Sequence, residues 1–315
     1  MMATLSYPGV YMEEVSSGVR PIAAASTSTA AFVGRAEKGP DDEAKRITNW
    51  TQFQKYYGTF IKESYLAESV FQFFNNGGNQ CYIVRVTRSD AETADVTVQN
   101  RAASPVPCVK FLAKNKGAWG NYLYLQIEDG MDDPGNTFKI SIRKQEKETI
   151  TADNFAEITP LEVHDNLSMD ADSANYVETV LNNRSYLVDV DVLKAGVTPE
   201  ERPANADVIQ IGKNAVETPV TAVTEGTDGT GDLNETSYSD AFSKLDPITD
   251  FSLLAVPGIG TTIMMDEGMN YCSKRPLQDV FYIGEMSSDE DEPTDAKDFR
   301  KLLTKPNSYG AVYYP

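Results

Sequence analysis

Few residues of this sequence could do chemistry. Its single histidine, His164, sits in the polar run Glu162-Val163-His164-Asp165. A Ser-His-Asp or Cys-His site needs that imidazole beside an activated nucleophile, and no G-x-S-x-G elbow lies nearby. His164 therefore reads as a surface histidine. The three cysteines, Cys81, Cys108 and Cys272, are far apart and form no C-x-x-C pair. Neither a disulfide framework nor a zinc site follows, and all three are expected to be reduced and buried. The stretch Gly226-Thr227-Asp228-Gly229-Thr230-Gly231 lacks the lysine that a phosphate loop carries after its last glycine, and Asp232 stands there instead. As a calcium loop it offers Asp228, Asp232 and Asn234. Leu233, however, occupies the position where the sharp turn needs glycine, and no glutamate closes the loop. The acidic run Ser288 to Glu292 precedes the helix start Pro293-Thr294 and reads as a solvated loop. The expectation is a protein that is not an enzyme and binds no cofactor, metal or nucleotide.

The whole-chain properties point the same way. With 315 residues and 41% hydrophobic content, the chain can bury two sizeable cores. No run of eighteen apolar residues occurs, and the opening MMATLSYPGVYMEEV lacks the basic and apolar regions of a secretory signal, which places synthesis in a cytoplasm. A net charge of −19 argues against nucleic acid or an anionic membrane as a partner and gives a highly soluble surface. Tyr56, Tyr57, Phe73, Phe74, Tyr313 and Tyr314 fall in core elements and do not alternate with Lys and Arg, so nucleic-acid stacking is not indicated.

The elements that would position any site follow from periodicity. Residues 1–22 contain Pro8-Gly9, Gly18 and Pro21, which forbid a continuous helix, yet Leu5, Tyr7, Val10, Tyr11 and Val15 are too β-prone for a disordered tail. They read as an extended arm, either an edge strand of its own domain or a strand added to a neighbour's sheet. Ala30 to Gly34 is a short apolar strand. Asn49 can cap a helix with Gln52 three residues on and Trp50, Phe53 and Tyr57 on its buried face. Leu66, Val70, Phe73 and Phe74 make a second helical face, stopped by Asn76-Gly77-Gly78. Cys81 to Val86 is a strand covered on both sides, interrupted only by Arg85. The order strand, helix, helix, strand is a crossover between neighbouring parallel strands.

After Val86 the segments alternate with strand period: Tyr122 to Ile127, Thr137 to Arg143, and Val188, Val190 and Val192. One helix is expected here, with Tyr176, Val177, Val180 and Leu181 on a face and Asp172 or Ser173 as cap. At Glu225 a linker of glycine and acidic residues begins, and the α/β rhythm returns. Tyr238, Phe242 and Leu245 share a helical face, Ser252 to Val256 is a strand, and Ile263 to Tyr271 is a helix. Val280 to Ile283 is the next strand. Thr294 caps a helix with Phe299, Leu302 and Leu303, and Gly310 to Tyr314 is the last strand. The fold class is α/β: a mostly parallel sheet with flanking helices, built from residues before and after a β-rich inserted domain, plus the N-terminal arm. The expected divisions are 1–22 for the arm, 23–90 and 225–315 for the two parts of the α/β domain, and 91–224 for the insert.

Several of these stretches, in this order, resemble contractile phage tail sheath proteins. They are YPGVYMEEVSSGVRPI at Tyr7, STSTAAFVGRAEKGP, ITNWTQFQKYYG, the helix–NGG–strand unit from Tyr65 to Val86, GAWGN at Gly117, NLSM at Asn166 and NSYGAVYYP at the end. The matches are dense over residues 7–90 and 225–315 and sparse between. The resemblance implies a structural subunit that stacks with other sheath subunits in sixfold rings around a tail tube and contracts to drive the tube through a target envelope. Baseplate and tail terminator proteins are the further implied partners, in a virion tail or phage-tail-like particle assembled in the bacterial cytoplasm. It implies intersubunit linkage by the arm residues Tyr7, Pro8, Gly9, Val10, Tyr11, Glu13 and Glu14. Family members continue past the position of Pro315 into a tube-facing domain, which predicts that this segment alone is monomeric or weakly associated while an extended form polymerises. Two other classes compete. An α/β enzyme would need a loaded strand-to-helix turn, and a carbohydrate-binding or adhesin module would place function in the β-rich insert.

Overall fold

The computed structural model describes residues 29–146, 155, 157–213, 219–287 and 292–313. Its first sheet has six strands. They are β1 (Ala30–Gly34), β2 (Lys45–Ile47), β3 (Cys81–Arg85), β12 (Leu253–Ala255), β13 (Phe281–Glu285) and β14 (Gly310–Tyr313), in the order β14-β13-β12-β1-β3-β2. Five run parallel and β2 alone is antiparallel, at an edge. The Ala30 strand pairs with both distant partners, Ala30 opposite Cys81 on one side and Leu253 on the other. The sheet thus joins segments from both ends of the described chain.

Strand residues alternate between two cores, as a sheet covered on both faces requires. Ala30 and Phe32 of β1, with Cys81 and Ile83 of β3, face the core under helices α1 (Trp50–Tyr57) and α2 (Leu66–Asn75). Ala31, Val33, Val84 and Leu254 face the opposite core, under α4 (Glu235–Asp240), α5 (Thr262–Lys274) and α6 (Pro293–Leu302). Asn49 caps α1 by accepting from the Gln52 backbone N–H at 2.8 Å, and Gln52 reaches back to the N–H of Thr48. At the end of α2, Gly77 has φ +91° and Gly78 donates to the Phe73 carbonyl, which closes the helix.

Residues 95–224 form two antiparallel four-stranded sheets. One is β10-β6-β7-β8, from Ala206–Gln210, Leu123–Asp129, Phe138–Lys144 and Glu162–Leu167. The other is β11-β4-β5-β9, from Val220–Thr224, Asp95–Gln99, Pro107–Ala113 and Val188–Val192. Val96, Phe111, Leu125, Ile140 and Val190 share one core with α3 (Val177–Arg184).

Several expectations need correction. Neither Asp172 nor Ser173 caps α3. The helix starts after Tyr176 without a side-chain cap, and Ser173 Oγ instead accepts from the Asn175 N–H within the preceding turn. Glu292, not Thr294, caps α6. Pro293 takes the first helical position, and Asp295 answers from the third. Phe299 is buried there while Leu302 is exposed. The face carrying Tyr238, Phe242 and Leu245 is buried, but α4 tightens to a 3-10 helix from Ala241 to Leu245. The strand β2 breaks the expected simple crossover without disturbing the parallel pairing of β1 and β3.

Candidate functional site

The linkage residues Tyr7, Pro8, Gly9, Val10, Tyr11, Glu13 and Glu14 lie outside the described residues. Among those described, the densest set of specific polar contacts lies where the parallel sheet meets the antiparallel ones. Arg85, the one polar residue in an apolar strand, is only 3% exposed. Its guanidinium donates to the carbonyls of Ala36, Gly39 and Lys116 at 3.2, 2.8 and 3.0 Å. Burial pulls its pKa down to about 10, so it remains charged at neutral pH. A buried cation that satisfies carbonyls from both sides fixes the β1–β2 loop against residues 114–117.

The sequence motif GAWGN belongs to the same junction. The Asn121 side chain, 3% exposed, donates to the Gly226 carbonyl at 2.7 Å and accepts from the Gly226 N–H at 2.8 Å. One amide thereby satisfies both groups of a single residue in the glycine-rich crossing. Gly117 has φ +128°, a conformation that strains any residue with a side chain, and a Cβ there would press on Asp228 Oδ1 at 2.9 Å. Asp228 accepts from the Ala118 N–H, and Asp90 accepts from the N–H groups of Thr230 and Gly231. The two crossings pair antiparallel at Glu92 and Thr227. Of the groups considered for calcium, Asp228 therefore holds the crossing through a backbone bond and Asn234 caps α4, while the glycines considered for phosphate, Gly226 and Gly231, bond Asn121 and Asp90 through their own backbone groups.

Charged side chains complete the contact. Glu37 pairs with Lys144 of β7, and Lys144 also meets Glu146 at 2.7 Å. Burial alone would raise the Glu37 carboxyl, but Lys144, the Thr59 N–H and Lys38 together outweigh it and hold the pKa below the ordinary value. Lys144 answers in the matching direction: burial opposes its charge, and Glu37 raises its pKa. Lys38 is 8% exposed beside the Trp119 ring, and burial, reinforced by Lys144, pulls its pKa down to about 8. A cavity of about 300 Å³ opens here at the carboxyl ends of β1 and β3. Arg35, Arg85 and Arg88 line it opposite Glu37, Glu63 and Asp228. Carboxyl ends of parallel strands are where α/β folds place ligands, but here opposed charges from the chain itself fill the rim.

His164 is not the free surface histidine expected. Its side chain is 13% exposed, and its Nε2 lies 2.9 Å from Glu162, which also accepts from the Tyr186 N–H. That pair ties β8 to the segment after α3. Cys81, Cys108 and Cys272 are free and buried, and burial pushes each thiol up to about 12. Among the described residues no group of three or more His, Cys, Asp or Glu could hold a metal ion, and no helix is long and apolar enough to cross a membrane. The sequence signals for this junction were the lone arginine in β3, the GAWGN stretch and the glycine-rich crossing at Gly226. Glu37, Lys38 and Lys144 gave none, because their partners are distant in sequence.

A sheath tail protein of Listeria innocua superposes on this architecture with a TM-score of 0.53 and 12% identity, over 83% of this chain and 48% of that one. The chain shares the fold of a sheath tail protein. A sheath tail protein of Desulfitobacterium hafniense matches with a TM-score of 0.48 and 15% identity, over 90% of this chain and 54% of its own. The chain therefore spans about half the length of the solved sheath tail proteins it resembles. No protein-family model matches the sequence, and no curated protein does. Against this fold, the polar contacts above act as a clamp between sheets. β14 bonds only β13 among the described residues, where no strand pairs with its outer edge.

Proposed function

We propose that the chain is a structural subunit of a contractile tail sheath, which polymerises around a tail tube and contracts to drive the tube through a target envelope. The observation that carries this reading is the shared fold with the Listeria sheath tail protein over 83% of this chain. In this reading residues 91–224 form an inserted domain, and residues 23–90 with 225–315 form the α/β domain that carries the intersubunit contacts. Tyr7, Pro8, Gly9, Val10, Tyr11, Glu13 and Glu14 lend backbone groups to a neighbour's sheet, since strand addition needs a β-prone donor and an open edge. Partners are other copies in sixfold rings stacked helically, the tail tube, and the baseplate and terminator proteins. The clamp at Arg85 and Asn121 keeps each subunit rigid, so that a change of state is confined to contacts between subunits.

Immunogold electron microscopy tests the reading. Antibodies against residues 91–224, applied to tail-like particles from the encoding organism, are expected to label the outer wall along its length in extended and contracted forms. Deleting residues 1–15 in the gene is expected to leave bare tubes. Label confined to the tip or the head, or intact sheaths without residues 1–15, rejects the proposal.

A further inference from the structure

The molecule carries 47 acidic residues against 28 basic ones, yet in one cleft the charged lining residues are mostly cations. It has a volume of about 320 Å³ and runs between β2 and α1 on one side and the end of α3 on the other. Lys45, Lys55, Lys114 and Arg184 line it, with Glu43 as the only carboxylate of the lining. Lys45 meets Glu43 at 3.4 Å, and Lys114 is held by Asp189. Lys55 and Arg184 are exposed, and neither has an ion-pair partner among the described residues. The lysines are held by aromatic faces: Lys45 stands 4.6 Å from the Tyr56 ring and Lys55 4.2 Å from the Tyr186 ring. Such stacking orients the ammonium groups without neutralising them.

The geometry points to a docking site for an acidic peptide segment supplied by a second copy of this chain, the run Asp289-Glu290-Asp291-Glu292. Charge complementarity selects the class of partner: four cations, of which Lys55 and Arg184 have no ion-pair partner among the described residues, face the longest acidic run in the sequence, in which Glu292 also caps α6 and Asp289, Glu290 and Asp291 precede it. Chain reach selects the source. The run follows β13 and ends at the cap of α6, and β13 stands four strands from β2, about 19 Å at the usual strand spacing. Four residues tethered at both ends reach out roughly 7 Å and return. The run therefore docks between molecules. Because the cleft walls belong to different sheets, the docked segment bridges the α/β sheet and the antiparallel part of its host. The inference rests on the reading above only in that copies of the chain meet in an assembly.

The test uses a fluorescent peptide covering residues 287–294, titrated with the purified chain and followed by anisotropy. Saturable binding is expected at low salt, weakening about tenfold or more when ionic strength rises to ~0.3 M. The double variant Lys55→Glu, Arg184→Glu should lose about tenfold or more in affinity while keeping its circular dichroism. A peptide with lysine at the four acidic positions should bind the double variant and not the original chain. Equal binding to both proteins, no saturable binding at low salt, or failure of the charge-swapped pair overturns the inference. Immunogold labelling of tails is unaffected by any of these results, so a failure here is distinguishable from a failure of the sheath reading.

Discussion

The parallel sheet and the antiparallel pair solve burial in opposite ways. In the first, successive residues of one strand enter different cores: Ile83 lies under α1 and α2, and Val84 under α4, α5 and α6. Its strands come from residues 30–85 and 253–313, so it closes only when distant segments meet. In the second no such distant closure is needed, because every strand falls within residues 95–224 and the sheets share a single core. A contiguous antiparallel unit can form from its own segment, whereas the parallel sheet depends on the crossings that leave and re-enter it. The difference teaches where rigidity must be built. The crossings are held by Arg85, Asn121, Asp90 and Asp228, which bond backbone groups, and the core of the antiparallel part stays separate from the two of the parallel sheet.

The comparison breaks first at the cores. Phe111 is fully buried between the antiparallel sheets and Phe53 is fully buried under the parallel one. Either Phe→Ala change should cost about 3–5 kcal/mol through lost transfer energy and the cavity left behind. Hydrogen exchange should show the loss of protection confined to residues 95–224 for Phe111→Ala and to the parallel sheet for Phe53→Ala. Equal loss of protection in both parts for either variant would show that they form one cooperative core.

A smaller effect sharpens the role of the crossings. Asn121→Ala removes both bonds to Gly226 and leaves its buried N–H and C=O without those partners, a cost of about 2–3 kcal/mol. Urea unfolding should become broader or split into two steps, because the link between the parts weakens while each core is untouched. A parallel shift of one sharp transition would place the coupling elsewhere.

The same contrast decides how much could be read from sequence. Strands β1 and β3 are buried on both faces and therefore read as apolar runs, and their boundaries followed within a residue or two. β8, which is EVHDNL, carries one apolar residue in its interior, and Val163 points outward at 52% exposure, so no pattern announced it. β2 is the three residues Lys45–Ile47 with only Ile47 buried, and it is held by its register with β3. The GAWGN motif was legible as a unit, but its purpose was not. Asn121 finds its partner at Gly226, across the whole antiparallel part, and periodicity carries no information about pairs so distant. The clamp at Arg85 was legible only as an exception, a charge in a strand that buries everything else.

The smallest effect concerns Lys38, whose ammonium lies in the junction between the two parts. Glu37 stands beside it in the chain, Lys55 faces it from α1, Lys144 from β7 and Glu162 from β8, with the Trp119 ring against it. Burial is the largest influence and Lys144 the next, and together they lower its pKa from 10.5 to about 8. The folded protein thus gives up this proton at lower pH than the unfolded chain. Between about pH 8 and 10.5 the unfolded chain binds more protons, so this residue's contribution to stability rises with pH there, and below pH 8 the full penalty is present. Lys38→Met removes the penalty and keeps most of the apolar stem, so it should stabilise the protein at pH 7 by about 1–2 kcal/mol. The advantage over the original chain should shrink as pH rises from 8 to 9.5. Buried thiols and phenols also titrate in alkali, but they are common to both proteins and cancel in the difference. Urea midpoints of the two proteins at pH 7, 8 and 9.5 measure it. A gap that stays constant across that range would show that the variant acts through packing, and a destabilised variant would show that the Lys38 charge holds the two parts together.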